Sequence, residues 1–579
     1  MNRPPARGDD RRTASARRTV AVAAVLLALP ALIAACGGEP HPAVTRQYSS
    51  PAAVRLHGDW RPPAGAALSG VLKAPGGPYL LDRWGRVVVL HGVNAVEKRP
   101  PYVLTVAPGK PWNFDAADAR RIAALGFDVV RLGVVWAGLE PGHGRVDDPA
   151  VCAAGPPGNP HEFNRRVADA YLAKVARTVD LLGRQHVYTL LDMHEDLYAA
   201  AFTGEGAPTW AVCTGSKPIV LASGRWSRNY ADASLGVAVR HFWSNDVVGN
   251  LQGQFDLVWR TVAHYFADNP WIVGYDPLNE PFSPEVSAVR SALPSVQSVE
   301  LATELECFYT GRADPGVEAA GRPALGCPPH DPRVGLVPTI EAADPHHLVF
   351  VEPDIYGVPH ATPSMLGPMP FPRLVFNFHD YCSARSPVTG DPTTLDACVG
   401  QELQSLSRLE QERPLLATHA QPGGPPAFMS EFGATRDRAL VQQLTEAADP
   451  YALGWAYWSW KYYDDPTGSA DEALVGLHGR LSPTAAALSA TYAQAIAGTP
   501  MSVSSTPLSG QFDLLYAPTP GTGAPTLLDV PGSRLYAHGY CTLVQGGSIE
   551  SPPGARHLVV ANTAGATRVD VTVSAGRCP

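Results

Sequence analysis

The sequence predicts an α/β chain: a (β/α)8 barrel with extended βα loops, followed by a small C-terminal antiparallel β-sandwich. Three observations predict it. Between about residues 75 and 499, eight short apolar runs alternate with segments whose apolar residues recur at three and four, the pattern of a parallel barrel. A minimal barrel takes ~250 residues, so a stretch of this length implies long loops. After Pro500 the texture changes to short alternating runs such as Phe512-Asp513-Leu514-Leu515-Tyr516 and Arg568-Val569-Asp570-Val571-Thr572-Val573, which suit sandwich strands.

Taken in order, residues 1–35 read as an export leader. Arg3, Arg7, Arg11, Arg12, Arg17 and Arg18 precede an apolar run from Val20 to Ala35, shorter than the ~20 residues a spanning helix needs. Its ending, Leu32-Ile33-Ala34-Ala35-Cys36-Gly37, resembles a lipoprotein signal, in which cleavage leaves Cys36 as a lipid-bearing N-terminus. The chain is then expected in the cell envelope, anchored in the membrane at Cys36, or secreted if the leader is an ordinary signal. Arg17-Arg18 also permits a twin-arginine address. Residues 36–74, Pro/Gly-rich from His41 to about Gly65, read as a tether and N-terminal extension.

Residues 75–499 read as the barrel, with strands at Val87–Val93, Val129–Gly133, Val187–Met193, Ile272–Leu278, His347–Val351, Leu374–Phe378, Ala427–Ser430 and Gly454–Trp458. Helical patterns include Ala116–Leu125, Phe163–Leu182, Phe255–Ala267, Arg438–Ala448 and Thr484–Ala497. The largest loop, Leu197–Asn250, follows the third strand and has little periodicity but many aromatic residues, among them Trp210, Phe242 and Trp243. Residues 500–579 complete the chain as the sandwich.

Composition narrows the function. With 45% hydrophobic residues and a formal charge of −9, the chain has material for a large core and no basic stripe, so nucleic acid is excluded as a partner. Without the leader, 39 basic face 52 acidic residues, a charge of −13. Beyond Cys36 there are eight cysteines, an even set as disulfides in an exported protein require. Proximity suggests Cys307–Cys327, Cys382–Cys398 and Cys541–Cys578, leaving Cys152–Cys213. No C-x-x-C or His/Cys spacing suggests zinc.

In such barrels chemistry sits at the C-terminal ends of the strands. The second strand ends near Arg131, the third at Asp192-Met193-His194-Glu195-Asp196, the fourth at Asn279-Glu280-Pro281, the sixth at His379-Asp380-Tyr381, the seventh at Glu431-Phe432-Gly433 and the eighth at Trp458. Glutamates at the mouths of the fourth and seventh strands are the layout for glycoside hydrolysis with retention, which needs the carboxyls ~5–5.5 Å apart. Glu280 is the expected acid/base and Glu431 the nucleophile, with Arg131 and Tyr381 holding Glu431 ionised. Asn279 is placed to bond the sugar 2-hydroxyl, and Trp458 offers a face on which a pyranose stacks. Asp192, His194, Asp196 and His379 complete the supporting set. Asp192, His194 and Asp196 serve sugar hydroxyls as readily as a metal, and neither metal nor cofactor is expected.

The ordered set Arg131, His194, Asn279-Glu280-Pro281, His379-x-Tyr381, Glu431-Phe432-Gly433 and Trp458 resembles glycoside hydrolase family 5, the cellulase-like clan. Within it, Leu191-Asp192-Met193-His194-Glu195-Asp196, Gly206-Ala207-Pro208-Thr209-Trp210-Ala211, Tyr275-Asp276-Pro277-Leu278-Asn279-Glu280-Pro281-Phe282 and Ala456-Tyr457-Trp458-Ser459 resemble the endoglycoceramidase-related subgroup. That resemblance implies a barrel plus sandwich cutting between a glycan and a ceramide. Two departures concern the substrate: His379-Asp380-Tyr381-Cys382, and Trp460-Lys461-Tyr462-Tyr463, which adds bulk and charge expected near the aglycone. Lys98 is a further candidate sugar-binding group. The alternatives are a polysaccharide hydrolase with an open cleft and a non-catalytic glycan-binding lipoprotein. The expected partners are a glycolipid or oligosaccharide substrate and the membrane, with the chain a monomer.

Overall fold

The computed structural model describes residues 44–104, 113–142, 144–158, 163–223, 226–282, 304–311, 327, 335–354, 366–382, 394–531 and 535–579. Cys36 and the rest of the leader lie outside them.

Eight parallel strands close into a barrel: His91–Ala95, Val129–Val134, Tyr188–Met193, Ile272–Asp276, Leu348–Val351, Leu374–Asp380, Ala427–Gly433 and Gly454–Trp458, the last pairing with the first. Helices run along the outside. Ala116–Ala124 opens with Asp115 accepting from the N–H groups of Ala117 and Asp118 while Asp118 reaches back to the Asp115 N–H, a reciprocal cap. Arg165–Gly183 and Leu251–Phe266 bury one stripe each against the strands, Leu172, Val175, Val179 and Leu182 in the first case.

Two further sheets form the sandwich. One has five strands in the order Val44–Ser49, Tyr540–Gln545, Val569–Ala575, Gln511–Pro518, Gly498–Thr506. The other has six: Gly547–Ile549, His557–Asn562, Thr526–Asp529, Tyr492–Ile496, Val87–Val88 and Leu80–Leu81. The six-stranded sheet is apolar on both faces, and strand periodicity sorts its side chains. Leu528, Leu558 and Val560 join the sandwich core, while their neighbours Leu527 and Val559 pack with Leu90, Val129, Tyr188, Leu348 and Phe428 at the N-terminal end of the barrel. The sheet therefore plugs the barrel from below and leaves the other end for chemistry.

Four expectations need correction. The supposed tether contains the strand Val44–Ser49, which pairs with Tyr540–Gln545, and the helix Pro51–His57, capped by Ser50. Val87–Val93 is two strands, the first in the sandwich and the second in the barrel. The Thr484–Ala497 segment holds only a short helix, Ala485–Leu488, before Tyr492–Ile496 enters the six-stranded sheet. The long loop after the third strand is not devoid of periodic structure, since Ala233–Ser244 is a helix capped by Asp232. All four proposed cysteine pairs are disulfides. Among the described residues, no helix is long and apolar enough to cross a membrane.

Candidate active site

Arg131, fully buried on the second strand, organises the barrel mouth. Its guanidinium reaches Glu431 Oε1 at 2.5 Å, Asp276 Oδ2 at 2.8 Å, Asn279 Oδ1 at 2.8 Å, Asp192 Oδ1 at 3.0 Å and Glu352 Oε1 at 3.1 Å. Burial works against its charge, but Asp192, Asp276, Glu431 and Glu352 more than offset that and raise its pKa well above the usual value. The planar fork of five N–H donors is what lets one side chain serve so many acceptors.

Two backbone irregularities aim the paired glutamates. The seventh strand shifts register between Met429 and Glu431 against one neighbour and between Met429 and Phe432 against the other; such a bulge re-aims the side chain beyond it. Glu280 has φ +44°, a left-handed conformation that costs a side-chain-bearing residue ~1–2 kcal/mol. Its N–H donates to Glu352 Oε2 at 2.9 Å, which helps hold it there. Gly433 must be glycine: φ is +90° and a Cβ would meet the Tyr457 ring at 2.4 Å.

Glu431 Oε2 accepts from the Tyr381 hydroxyl at 2.8 Å. His379 Nδ1 lies 2.9 Å from Glu280 Oε1 and 3.6 Å from Glu431 Oε2, and its Nε2 lies 3.2 Å from Glu352 Oε1. Burial disfavours its charge, yet Glu352, Glu431 and Glu280 together raise it well above the usual imidazole range. An oxygen of Glu280, an oxygen of Glu431 and a ring nitrogen of His379 all fall within 4.8 Å of one another. The carboxyls thus approach at the short separation that direct attack requires, closer than the arrangement in which one of them activates a water on the far side of the ring.

Behind them, Asp276 and Glu352 divide one charge. Burial and the neighbouring Glu352 push the Asp276 carboxyl well up, against the pull of Arg131; Glu352, despite burial, is held low by His379 and Arg131.

The third-strand residues form a second cluster. His194 Nδ1 is 2.6 Å from Asp192 Oδ2, and its ring stacks on Trp458 at 5.4 Å. Lys98 Nζ is 2.5 Å from Asp196 Oδ2, 3.3 Å from Asp465 and 3.9 Å from Glu205, and lies 4.5 Å from the Trp458 ring centroid. The Trp458 indole is therefore not bare apolar surface, and Nε1 donates to Glu472 Oε2 at 3.3 Å. Asn279 is also engaged at both ends, through Arg131 and through the Glu195 carbonyl at 2.9 Å. His194, Asp196 and Glu205 bring ligand atoms within 4.8 Å of one another. A metal there would have to displace the Lys98 ammonium that already compensates the acids.

Sequence reasoning missed Glu352, Asp276, Asn377 and Glu205. Glu352 directly follows the fifth strand, and Asp276 lies inside the motif around Asn279-Glu280. Asn377 on the sixth strand donates to Asp276 Oδ2 at 2.7 Å. Glu205 had no signal beyond its glycines: a Cβ at Gly204 would fall 1.7 Å from the Asp196 carbonyl, so only glycine lets the two strands of that loop meet.

Beside Glu280 lies an apolar cavity of about 30 Å³, lined by Leu278, Pro281 and Phe282 from the fourth strand's end and by Trp136, Phe242 and Trp243. Trp210, from the same aromatic loop as Phe242 and Trp243, packs edge-on against Trp136 at 5.7 Å. Glu195 also borders the cavity, and burial, with Asp196 and Glu280 adding to it, raises its pKa well above the usual carboxylate range. The departure at Lys461 does not reach this region. Its Nζ pairs with Asp118 Oδ2 at 2.7 Å, and Trp460 Nε1 donates to Asp118 Oδ1 at 3.2 Å. The Cys382 departure is taken up by the Cys382–Cys398 bridge.

Comparison with known proteins agrees with this geometry. The family model described as Cellulase (glycosyl hydrolase family 5) matches residues 103–300 and 334–464, and the glycoside hydrolase family 5 C-terminal domain matches 491–574. Endoglycoceramidase I of Rhodococcus hoagii is 27% identical over 86% of this chain and 87% of its own. Endoglycoceramidase of Cyanea nozakii is 28% identical over 36% of this chain and 41% of its own. Endo-glycoceramidase II from Rhodococcus sp., solved as a ganglioside GM3 complex, shares the fold with a TM-score of 0.62 at 22% identity, over 86% of this chain and all of that one. The chain belongs to glycosyl hydrolase family 5 and is a retaining glycoside hydrolase.

Proposed function

We propose that the chain hydrolyses the bond between a glycan and the ceramide of glycosphingolipids or related glycolipids, with Glu280 as acid/base and Glu431 as nucleophile. The observation that carries the substrate is where the apolar cavity lies. The acid protonates the leaving oxygen, so the aglycone occupies the side of the site built from Glu280 and its C-terminal neighbours. Pro281 and Phe282, the next two residues, line the apolar cavity. A sugar leaving group would want polar partners there; an alkyl chain wants this surface.

In the first step Glu431, oriented by Arg131 and Tyr381, attacks the anomeric carbon while Glu280 gives its proton to the departing oxygen, leaving a glycosyl-enzyme ester. In the second, Glu280 takes a proton from water as that water attacks the anomeric carbon, the bond from that carbon to the Glu431 oxygen breaks, and Glu431 is released as a carboxylate. Asp192, His194, Asp196 and Lys98 form a polar wall for sugar hydroxyls, with Trp458 beside it. The endoglycoceramidase relatives support this reading.

The test compares glucosylceramide with a soluble β-glucan. Turnover confined to the glycolipid and abolished by Glu431→Gln at unchanged melting temperature is expected. Preference for the glucan would overturn the substrate, and Glu431→Gln activity within tenfold of wild type would remove Glu431 as nucleophile. We also propose that the protein is exported and held in the cell envelope through a lipid on Cys36, as a monomer; the leader supports the anchor.

A further inference from the structure

We propose that residues 217–223, in the loop after the third strand, dock the protein on the surface of the lipid bilayer that holds its substrate. The proposal rests on the reading of an apolar, membrane-borne aglycone. Val220 is 69% exposed and its neighbour Leu221 45% exposed. Single exposed apolar residues are ordinary, but this pair is held out on a fixed support. Before it, Asp147 accepts from the backbone N–H groups of Thr214, Gly215 and Ser216 at 2.5, 3.1 and 3.2 Å. Within it, Val220 N–H donates to Asp232 Oδ2 and Ala222 N–H to Asn229 Oδ1, each at 2.8 Å. The Cys152–Cys213 disulfide ties the segment's base to the loop after the second strand. Loop ordering at the moment of contact is therefore largely avoided.

Two further observations select a lipid surface as the occupant. The pair's neighbours along the chain lead toward the apolar cavity: Ile219, Trp226 and Tyr230 pack on the core, and Tyr230 meets Phe282, a wall of the cavity, edge-on at 4.9 Å. The charges around it suit anionic headgroups. Lys217 and Arg228 are exposed, while the acids of this region, Asp147 and Asp232, are turned inward onto backbone N–H groups. An amphipathic tip of this kind inserts apolar side chains at the headgroup boundary and keeps its cations in the polar layer.

The experiment uses the full chain carrying Cys36→Ala, which removes any lipid anchor, and vesicles of phosphatidylcholine and phosphatidylglycerol. Val220→Ser with Leu221→Ser is expected to weaken co-sedimentation with these vesicles by about tenfold, while turnover of a soluble aryl glycoside and the melting temperature stay unchanged. Co-sedimentation equal to that of the parent overturns the proposal, as does a parallel fall in aryl glycoside turnover and melting temperature, which would make the loop structural. The vesicles contain no glycolipid, so the docking result stands apart from the substrate reading, which fails by itself if the parent cleaves no glycosylceramide in any form.

Discussion

Glu280 holds a left-handed backbone conformation, φ +44°, at the strand end that presents its carboxyl. If it is the acid, its loss should matter in proportion to how much help the leaving oxygen needs. Glu280→Ala is expected to spare the first step on a nitrophenyl glycoside, whose phenolate leaves unaided, while lowering turnover of an alkyl glycoside by a hundredfold or more, in line with general-acid contributions of ~10²–10⁴. Equal losses on both would remove the acid assignment. At this scale the sequence was informative wherever a residue ended a strand and had a chemical reason to be there: the contacts of Arg131 and Tyr381 with Glu431 were readable from the order of the strand ends alone. The misses have a common cause. Glu352 and Asp276 matter through a charge shared between strands, and Glu205 meets Asp196 only because a loop folds back. Linear spacing carries no record of either.

At the scale of elements, local propensity and tertiary pairing disagree where the sequence reading failed. The alanine-rich stretch beginning at Thr484 satisfies a helical period, but Tyr492–Ile496 gains partners on both edges, Thr526–Asp529 and Val87–Val88, and becomes a strand. Apart from the first, whose apolar run is shared with the six-stranded sheet, the barrel strands suffer no such conflict, which is why their positions were legible to within a few residues. The short helix Trp136–Leu139 after the second strand carries an ionisable group of consequence. Glu140 accepts from Trp136 Nε1 at 3.0 Å and from the Gln254 amide, and burial raises its pKa to about 7 against those bonds. A carboxyl raised on folding stabilises fully below its unfolded value near 4.5, and that contribution is lost as pH climbs through about 7. Glu140→Gln, which keeps the shape without the ionisation, is expected to flatten the fall in stability between these limits by up to ~3 kcal/mol. Denaturation midpoints measured across this range decide it; an unaltered slope would show that Glu140 does not titrate there.

Over the whole molecule, the division of labour comes from the six-stranded sheet. By closing the barrel's N-terminal end it leaves the opposite mouth for the paired glutamates, and Arg556 stitches the two parts through Asp529 at 2.8 Å and the Ala123 carbonyl. The sandwich was legible as alternating runs in the last eighty or so residues, but its early strands were not, because two-residue strands such as Leu80–Leu81 leave no period to read. The lipid anchor belongs to this scale too. Cys36→Ala is expected to move the protein from the detergent-extracted to the soluble fraction, and a variant that still partitions with detergent would refute anchoring at that thiol. The pairing of Val44–Ser49 with Tyr540–Gln545 also orders events in time. The earlier strand must wait for its partner until the whole barrel between them has been made. Contacts so distant in sequence form late and slowly, and the unpaired edge invites association with other chains in the interval. The edge strand is thus a seam that can be sewn only once the barrel it flanks has been synthesised, and the sandwich that seals the barrel matures after the barrel's own strands are in hand.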